Sequence, residues 1–373
     1  MSTRNDSVTI DVAELRSLLE MHAPVTVLDI RKAEERAEWA IPGSIHIDVY
    51  EALKAGDPTA LANADIPTDV PVVTICGAGK VSLTAMEQLR ERGFDARSLA
   101  GGMKAWSLAW NSATVPLAAP AVTVIQVRRT GKGCLSYLIG REGEATVIDA
   151  ALPTAVYQEL ASRHGWTITQ VLETHVHADH LSRARALAEA ADATLHLPAQ
   201  DRVSYPFAPI HDGDTIAIGS SWLVAMHTPG HTLESTSFLL DDVALFTGDT
   251  LFLAGVGRPD LEASPNEARE RARLLHASLT RLTLLPAETV ILPGHTSAPV
   301  PFDERPLAAT LAEVRQRVSM LSLNEDTFLA TILARIPPTP PNHAQIVALN
   351  EAGCLPEGDP TGLEAGANRC AVS

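Results

Sequence analysis

Seven residues, Thr174-His175-Val176-His177-Ala178-Asp179-His180, restrict what this chain can fold into more than any other stretch. Three imidazoles and a carboxylate fall within them, directly after the strand-like Val171-Leu172-Glu173. Burying such groups unpaired costs several kcal/mol each, and a shared metal ion relieves that cost. Other strand-like runs end the same way. His231 closes His227-Thr228-Pro229-Gly230-His231, Asp249 closes Phe246-Thr247-Gly248-Asp249, and His295 closes Leu292-Pro293-Gly294-His295. A composite set of metal ligands requires separate strand ends that each deliver His or Asp to one edge. Polar surface loops would explain a lone histidine, not the whole set. His227 is expected to pack rather than ligate, because strand side chains alternate between faces and His231 already lies beyond the turn.

The 373 residues are too many for one ordinary core and suit two domains. Residues 25–30 and 70–76 read as buried parallel strands, with an amphipathic helix at 81–92. That pattern predicts a small α/β domain over residues 1–115. Proline punctuation within residues 112–120 marks a linker, set at 116–121. Strands are then predicted at 146–148, 171–174, 194–197, 222–227, 243–246 and 290–292. Ser264-Pro265-Asn266-Glu267 is a helix start with an N-cap, a proline at N1 and a capping-box Glu. Leu307, Leu311, Val314, Val318 and Leu321 make one helical stripe, and Asn324 caps a helix carrying Phe328, Leu329, Ile332 and Leu333. The second domain is placed at 122–335, and 336–373 reads as a tail-like extension.

Cys76-Gly77-Ala78-Gly79-Lys80-Val81-Ser82 sits between a buried strand and an amphipathic helix. Such a loop cups a sulfur among backbone N–H groups at a helix N-terminus and favours a thiolate or an anionic persulfide. Cys76 is therefore the candidate nucleophile, set against the plainer reading of a small buried hydrophobe. Leu28-Asp29-Ile30-Arg31, Ile41-Pro42-Gly43-Ser44 and Leu99-Ala100-Gly101-Gly102-Met103 with Trp106 accompany it. In this order they resemble rhodanese domains over residues 8–115, which implies that Cys76 carries sulfur. Two departures stand out. Val81 occupies the usual place of an Arg, and Trp39-Ala40 that of a Gly-His pair.

The His and Asp motifs, in their order over 122–300, resemble the metallo-β-lactamase superfamily. The implied fold is an αββα sandwich following the rhodanese-like α/β domain. Two relatives compete, hydroxyacylglutathione hydrolase and persulfide dioxygenase, and Gly257-Arg258-Pro259-Asp260 is similar to the dioxygenase pattern. The resemblance implies one Fe(II) per chain on His175, His231 and Asp249. His177, Asp179, His180 and His295 would then lie around it, or hold a second metal. One or two zinc ions per chain is the alternative, because every residue a dinuclear hydrolase needs is present. Arg258 and Asp260 would bind substrate or pair with each other. The implied partners are a small-molecule thiol persulfide such as glutathione persulfide, O₂, and sulfite or thiosulfate.

A net charge of −16 argues against nucleic acid or an anionic membrane as the partner. The N-terminus lacks the apolar stretch of a signal peptide, and no apolar run approaches a membrane span. The four cysteines are scattered without a CxxC pair. The chain therefore reads as cytoplasmic, with homo-oligomerisation left open. Of the remaining cysteines, Cys134 reads as core, Cys354 as following a helix end, and Cys370 as an inert tail thiol rather than a sulfur carrier.

Overall fold

In the computed structural model, residues 7–118 and 122–373 are described. The N-terminal domain is built on a five-stranded sheet. Thr26–Asp29, Val72–Ile75 and Ala96–Leu99 run parallel at its centre. These strands are buried on both faces, so they read as unbroken apolar runs. Alternation still sorts their side chains. Leu28 and Val72 pack with Met86 and Leu89 of the helix Val81–Glu91, whereas Val27 and Val73 pack with Leu15 and Trp106 on the other face.

The second domain stacks two sheets. A seven-stranded sheet carries Thr123–Arg128, Leu135–Arg141, Glu144–Ile148 and Thr167–Leu172 in its middle. A six-stranded sheet carries Ser221–His227, Thr236–Leu240, Ala244–Gly248 and Val290–Pro293. Tyr137, Ile139 and Leu172 from one meet Phe238, Phe246 and Leu292 from the other. The Tyr137 and Phe246 rings meet edge-on, their centroids 4.8 Å apart, a geometry worth about 0.5–1.5 kcal/mol beyond area burial. The outer faces are covered by helices. Thr154–Arg163 and Ala184–Ala191 lie over Leu138 and Val171, and Pro265–Leu282 and Glu325–Ala334 lie over Leu245 and Ile291. Two sheets between two helical layers make the αββα sandwich.

Two local expectations need correction. Residues 112–115, read as the start of a linker and assigned to the first domain, belong to the strand Asn111–Val115, which pairs antiparallel with Thr123–Arg128 at the edge of the second domain's sheet. Its alternating burial shows that small side chains at an edge still form a strand where a ladder partner is at hand. Residues 119–121 of that linker reading lie outside the described residues. The stripe begun at Leu307 is shorter than expected, because Thr310 caps the helix Leu311–Arg317 through a capping box with Glu313. The Ser264–Glu267 capping box and the Asn324 cap are both formed.

The C-terminal segment is not a loose tail. It forms the helices His343–Ala352 and Thr361–Glu364 and ends in the strand Ala371–Val372, paired with Val256–Gly257. Glu364 is fully buried between Arg129 at 3.0 Å and Arg183 at 3.1 Å, and it accepts the Leu181 N–H at 2.9 Å. Burial raises that carboxyl, but the two guanidiniums outweigh it and hold its pKa at about 2.

Candidate functional site

The cysteine site is local. Ser82, at the N-terminal turn of the helix Val81–Glu91, donates its N–H to Cys76 Sγ at 3.4 Å, and its hydroxyl lies 3.3 Å from the same sulfur. A helix-end N–H that would otherwise lack a partner thus ends on sulfur. The Gly101-Gly102 pair supports the loop from below, with the Met103 and Lys104 N–H groups donating to the Cys76 and Gly77 carbonyls at 2.9 Å. A Cβ on Gly102 would stand 2.2 Å from the Cys76 carbonyl oxygen, which explains the glycine. Arg31 forks onto Asp29, and Arg36 links Asp29 to Ser44, so two of the sequence motifs form one hydrogen-bonded unit. Val81 packs against the core, and Lys80 is exposed.

The metal-ligand candidates gather at one edge of the sandwich. One group comprises His175, His231 and Asp249, all buried, with their ligand atoms within 4.8 Å of one another. Asp249 Oδ2 lies 3.9 Å from His175 Nε2 and 3.7 Å from His231 Nε2, and it has no hydrogen-bond partner among the described residues. A buried carboxylate oxygen left bare between two imidazoles is a strong indication of a cation site. The supporting bonds fix both rings. His231 Nδ1 faces the Arg258 carbonyl at 2.8 Å, so it carries the proton there and Nε2 keeps its lone pair. His175 Nδ1 meets Thr174 Oγ1 at 2.9 Å, and that hydroxyl donates to Asp149 Oδ2 at 2.8 Å. Burial also depresses both imidazoles below the usual histidine value, which suits neutral ligands.

The other four candidates surround this trio. His295 has a carboxylate on each nitrogen, Asp249 Oδ1 at 2.5 Å from Nδ1 and Asp179 Oδ2 at 2.9 Å from Nε2. Burial opposes its protonation, but Asp179 and Asp249 prevail and raise it well above the usual value. His180 Nδ1 lies 3.0 Å from Asp179 Oδ1. His177 Nε2 lies 2.7 Å from Glu173 Oε2 and 3.3 Å from Asp149 Oδ1. The His177 Nδ1, His180 Nε2 and His295 Nε2 atoms are buried without a hydrogen-bond partner among the described residues. The donor set therefore fits one metal ion on the trio and leaves nitrogens that a second could use. His227 stands apart, exposed, with Nε2 2.9 Å from the Leu233 carbonyl.

Arg258 and Asp260 form a two-bonded pair, both contacts at 2.8 Å. The other guanidinium hydrogens go to the carbonyls of Pro337, Pro338 and Arg369. All five N–H donors are thus engaged within the chain, and they tie the C-terminal segment to the site.

Sequence reasoning missed several residues. Asp149 follows the strand Glu144–Ile148, so the strand-end rule that found Asp249 would have found it too. Glu173, Asn350 and Asn368 gave no comparable signal. Asn350 binds the His177 and His180 carbonyls at 2.8 and 2.9 Å, and Asn368 donates to Asp179 Oδ2 at 2.8 Å. Cys134 is buried as expected but faces the site, its Sγ 3.6 Å from Asp179 Oδ2 and 3.7 Å from His180 Nδ1. Burial raises its thiol, yet His180 and His295 bring it down to about 6. Cys370, read as an inert tail thiol, is buried with Asp249 and His295, its Sγ within 4.8 Å of their ligand atoms. Bonds to residues far away in sequence hold it there, and no local pattern records them.

Residues 129–295 match the metallo-beta-lactamase superfamily model, and residues 11–109 match the rhodanese-like domain model. A hydroxyacylglutathione hydrolase from Methylobacillus flagellatus is 32% identical over 217 residues, covering 57% of this chain and 80% of that protein. Another, from Cereibacter sphaeroides, is 37% identical over 156 residues, 41% of this chain and 58% of that protein. The chain thus spans less than two thirds of some of these relatives. Among solved structures, a metallo-beta-lactamase from Staphylococcus aureus has a TM-score of 0.57 at 32% identity, covering 63% of this chain and 74% of that one. ETHE1 from Myxococcus xanthus has a TM-score of 0.54 at 30% identity, covering 61% of this chain and 97% of that one. Among the described residues, no helix is long and apolar enough to cross a membrane.

Proposed function

The chain belongs to the metallo-β-lactamase superfamily and carries a rhodanese-like domain ahead of that fold, and from this premise we propose that it is an iron-dependent persulfide dioxygenase with a sulfur-transferring partner domain. Its substrate on this reading is a low-molecular-weight thiol persulfide, such as glutathione persulfide. Persulfide, O₂ and water give thiol and sulfite, and Cys76 either loads the thiol with sulfur or moves sulfur onto sulfite.

The observation that carries the reading is the division of labour around Asp249. His295 holds Oδ1 through its Nδ1, while its Nε2 lies 2.9 Å from Asp179 Oδ2 without a hydrogen bond to any described residue. Oδ2 is left with the Nε2 atoms of His175 and His231. Two histidines and one carboxylate on one face are the donor set associated with mononuclear Fe(II) and O₂. Ferrous iron bound there would supply the redox chemistry with O₂ that these side chains lack. The chain's own groups do the rest. Thr174 and the Arg258 carbonyl fix the two ligand tautomers, and the buried edge keeps bulk water away from them.

The rival is a thioester hydrolase with two metals, favoured by the relatives named hydroxyacylglutathione hydrolase and by the bare His177, His180 and His295 nitrogens. Metal analysis of anaerobically purified protein, with oxygen uptake on glutathione persulfide, separates the two. One iron per chain and uptake that tracks iron are expected. Two tightly bound zinc ions in protein that turns over a thioester equally well without O₂ would falsify the dioxygenase.

A further inference from the structure

The C-terminal segment borders both sites. Ala365 and Gly366 line the same cavity as Gly77 of the cysteine loop and Met103 behind it. A few residues on, Asn368 and Ala371 line the cavity that contains His295 and Phe252. Between them, Arg369 pairs with Glu38 of the first domain at 2.6 Å. Cys370 then places its sulfur beside Asp249 and His295, where the buried Asp249 Oδ2 has no hydrogen-bond partner by geometry among the described residues.

Its fixed and movable parts are distinct. Glu364 is the anchor, locked by Arg129 and Arg183. Gly366, at φ 106°, occupies a conformation open chiefly to glycine and lies two residues beyond the anchor. Beyond it the segment is held by a ladder of two residue pairs, the Arg258 contacts to backbone, the Arg369–Glu38 and Asn368 bonds and the burial of Cys370 and Val372, so the arm moves only when these open together. Cys370 is six residues beyond Glu364 (370 − 364), and six extended residues reach about 20 Å.

We propose that Cys370 is a sulfur-carrying thiol on a tethered arm, taking a sulfane sulfur from Cys76 and presenting it at the His175–His231–Asp249 edge. With the arm swung out, the Cys370 thiolate attacks the terminal sulfur of a Cys76 persulfide. The new S–S bond forms on Cys370, the bond to Cys76 Sγ breaks with its electron pair, and Cys76 leaves as a thiolate. The proton of the Cys370 thiol goes to solvent, and no oxidant or reductant is consumed. With the arm returned, the Cys370 persulfide, O₂ and water give the Cys370 thiol, sulfite and two protons. That second step rests on the dioxygenase reading above; the transfer step does not.

The test uses full-length holoprotein under strict exclusion of O₂. It is loaded briefly with glutathione persulfide, freed of excess donor, alkylated, digested and read by mass spectrometry. The wild type should carry an added sulfur on the peptides of both Cys76 and Cys370. Cys76→Ser should lose the label on Cys370, and Cys370→Ser should keep the label on Cys76. A wild type labelled on Cys76 but never on Cys370 overturns the proposal. So does equal labelling of Cys370 in Cys76→Ser, which would mean direct loading by the donor. Since the readout involves no O₂, a labelled arm in a chain that consumes no oxygen refutes the dioxygenase reading alone. Oxygen uptake on free persulfide with Cys370 never labelled refutes the arm alone.

Discussion

The cysteine site and the metal edge are built on opposite plans. Among the described residues, the hydrogen bonds that shape the Cys76 loop come from its own domain, between Asp29 and Lys104, and most of them from contiguous motifs. The metal edge gathers strand ends from Asp149 to His295 and is finished by Asn350, Asn368 and Cys370 from the C-terminal segment. The first can be lost by changing one loop. The second depends on the register of two sheets and on a distant clamp. The comparison implies that the two sites fail independently, except where the C-terminal segment couples them.

Asp249→Ala should break one side of that comparison completely. It removes the bare Oδ2 and leaves His295 with one carboxylate instead of two. Losing a supporting hydrogen bond costs a metal site about 10–100-fold in affinity, and losing a ligand should cost more. Iron content and oxygen uptake should both be lost, while Cys76 still loads with sulfur. A variant that keeps its iron and half its uptake would remove Asp249 from the ligand set. A variant unable to load Cys76 would show that the sites are not independent.

Glu364→Gln should sharpen the exception. Removing one partner from a buried ionic cluster leaves its charges uncompensated, at a cost of about 3–5 kcal/mol; here Arg129 and Arg183 would share a neutral amide. The pH dependence points the same way. The folded carboxyl lies at about 2 against the ordinary glutamate value of 4.5, a difference worth on the order of 3 kcal/mol. Because the folded value is the lower one, this stability is fully present above pH 4.5 and drains away as pH falls towards 2. Denaturant unfolding at neutral pH should show the loss, and the acid-linked part of the wild-type profile should be missing from the variant. A variant within about 1 kcal/mol of wild type, the ordinary cost of a point mutation, would mean that the clamp does not hold the segment.

How much was legible in the sequence follows the same division. The motifs Leu28–Arg31, Ile41–Ser44 and Leu99–Met103 were readable because their bonds join near neighbours. His175, His231, Asp249 and His295 were readable because strands announce themselves by apolar runs and the polar residue that ends each run stands out. Cys134 and Cys370 were not, since their surroundings depend on which strands lie side by side. Trp39 belongs with them. As a sequence it is a departure from the rhodanese pattern; in the fold it is buried and donates its indole N–H to the Thr130 carbonyl of the second domain at 3.1 Å. The residue that looked like a loss in one domain is a contact made for the other.

The smallest expected effect tests whether the cysteine loop has kept a general anion site. Thiosulfate is a dianion, and a guanidinium beside the loop would bind it by charge-assisted, often two-pronged hydrogen bonds. Val81 offers none and packs into the core of its domain, while Lys80 is exposed next to it. The groups bonded to the sulfur are the Ser82 N–H and hydroxyl, and the cavity beside the loop is lined by Lys104 and by Arg31, whose guanidinium is already taken by Asp29. Charge-assisted hydrogen bonds are worth about 1.5–3 kcal/mol each, so one missing bond weakens productive binding about tenfold or more. The wild type should therefore use a thiol persulfide well and thiosulfate poorly. Val81→Arg should raise kcat/KM for thiosulfate about tenfold while moving that for glutathione persulfide much less. Steady-state kinetics of both proteins with both donors measure this directly. Efficient thiosulfate use by the wild type, unchanged in Val81→Arg, would show that the loop draws its positive potential from another source.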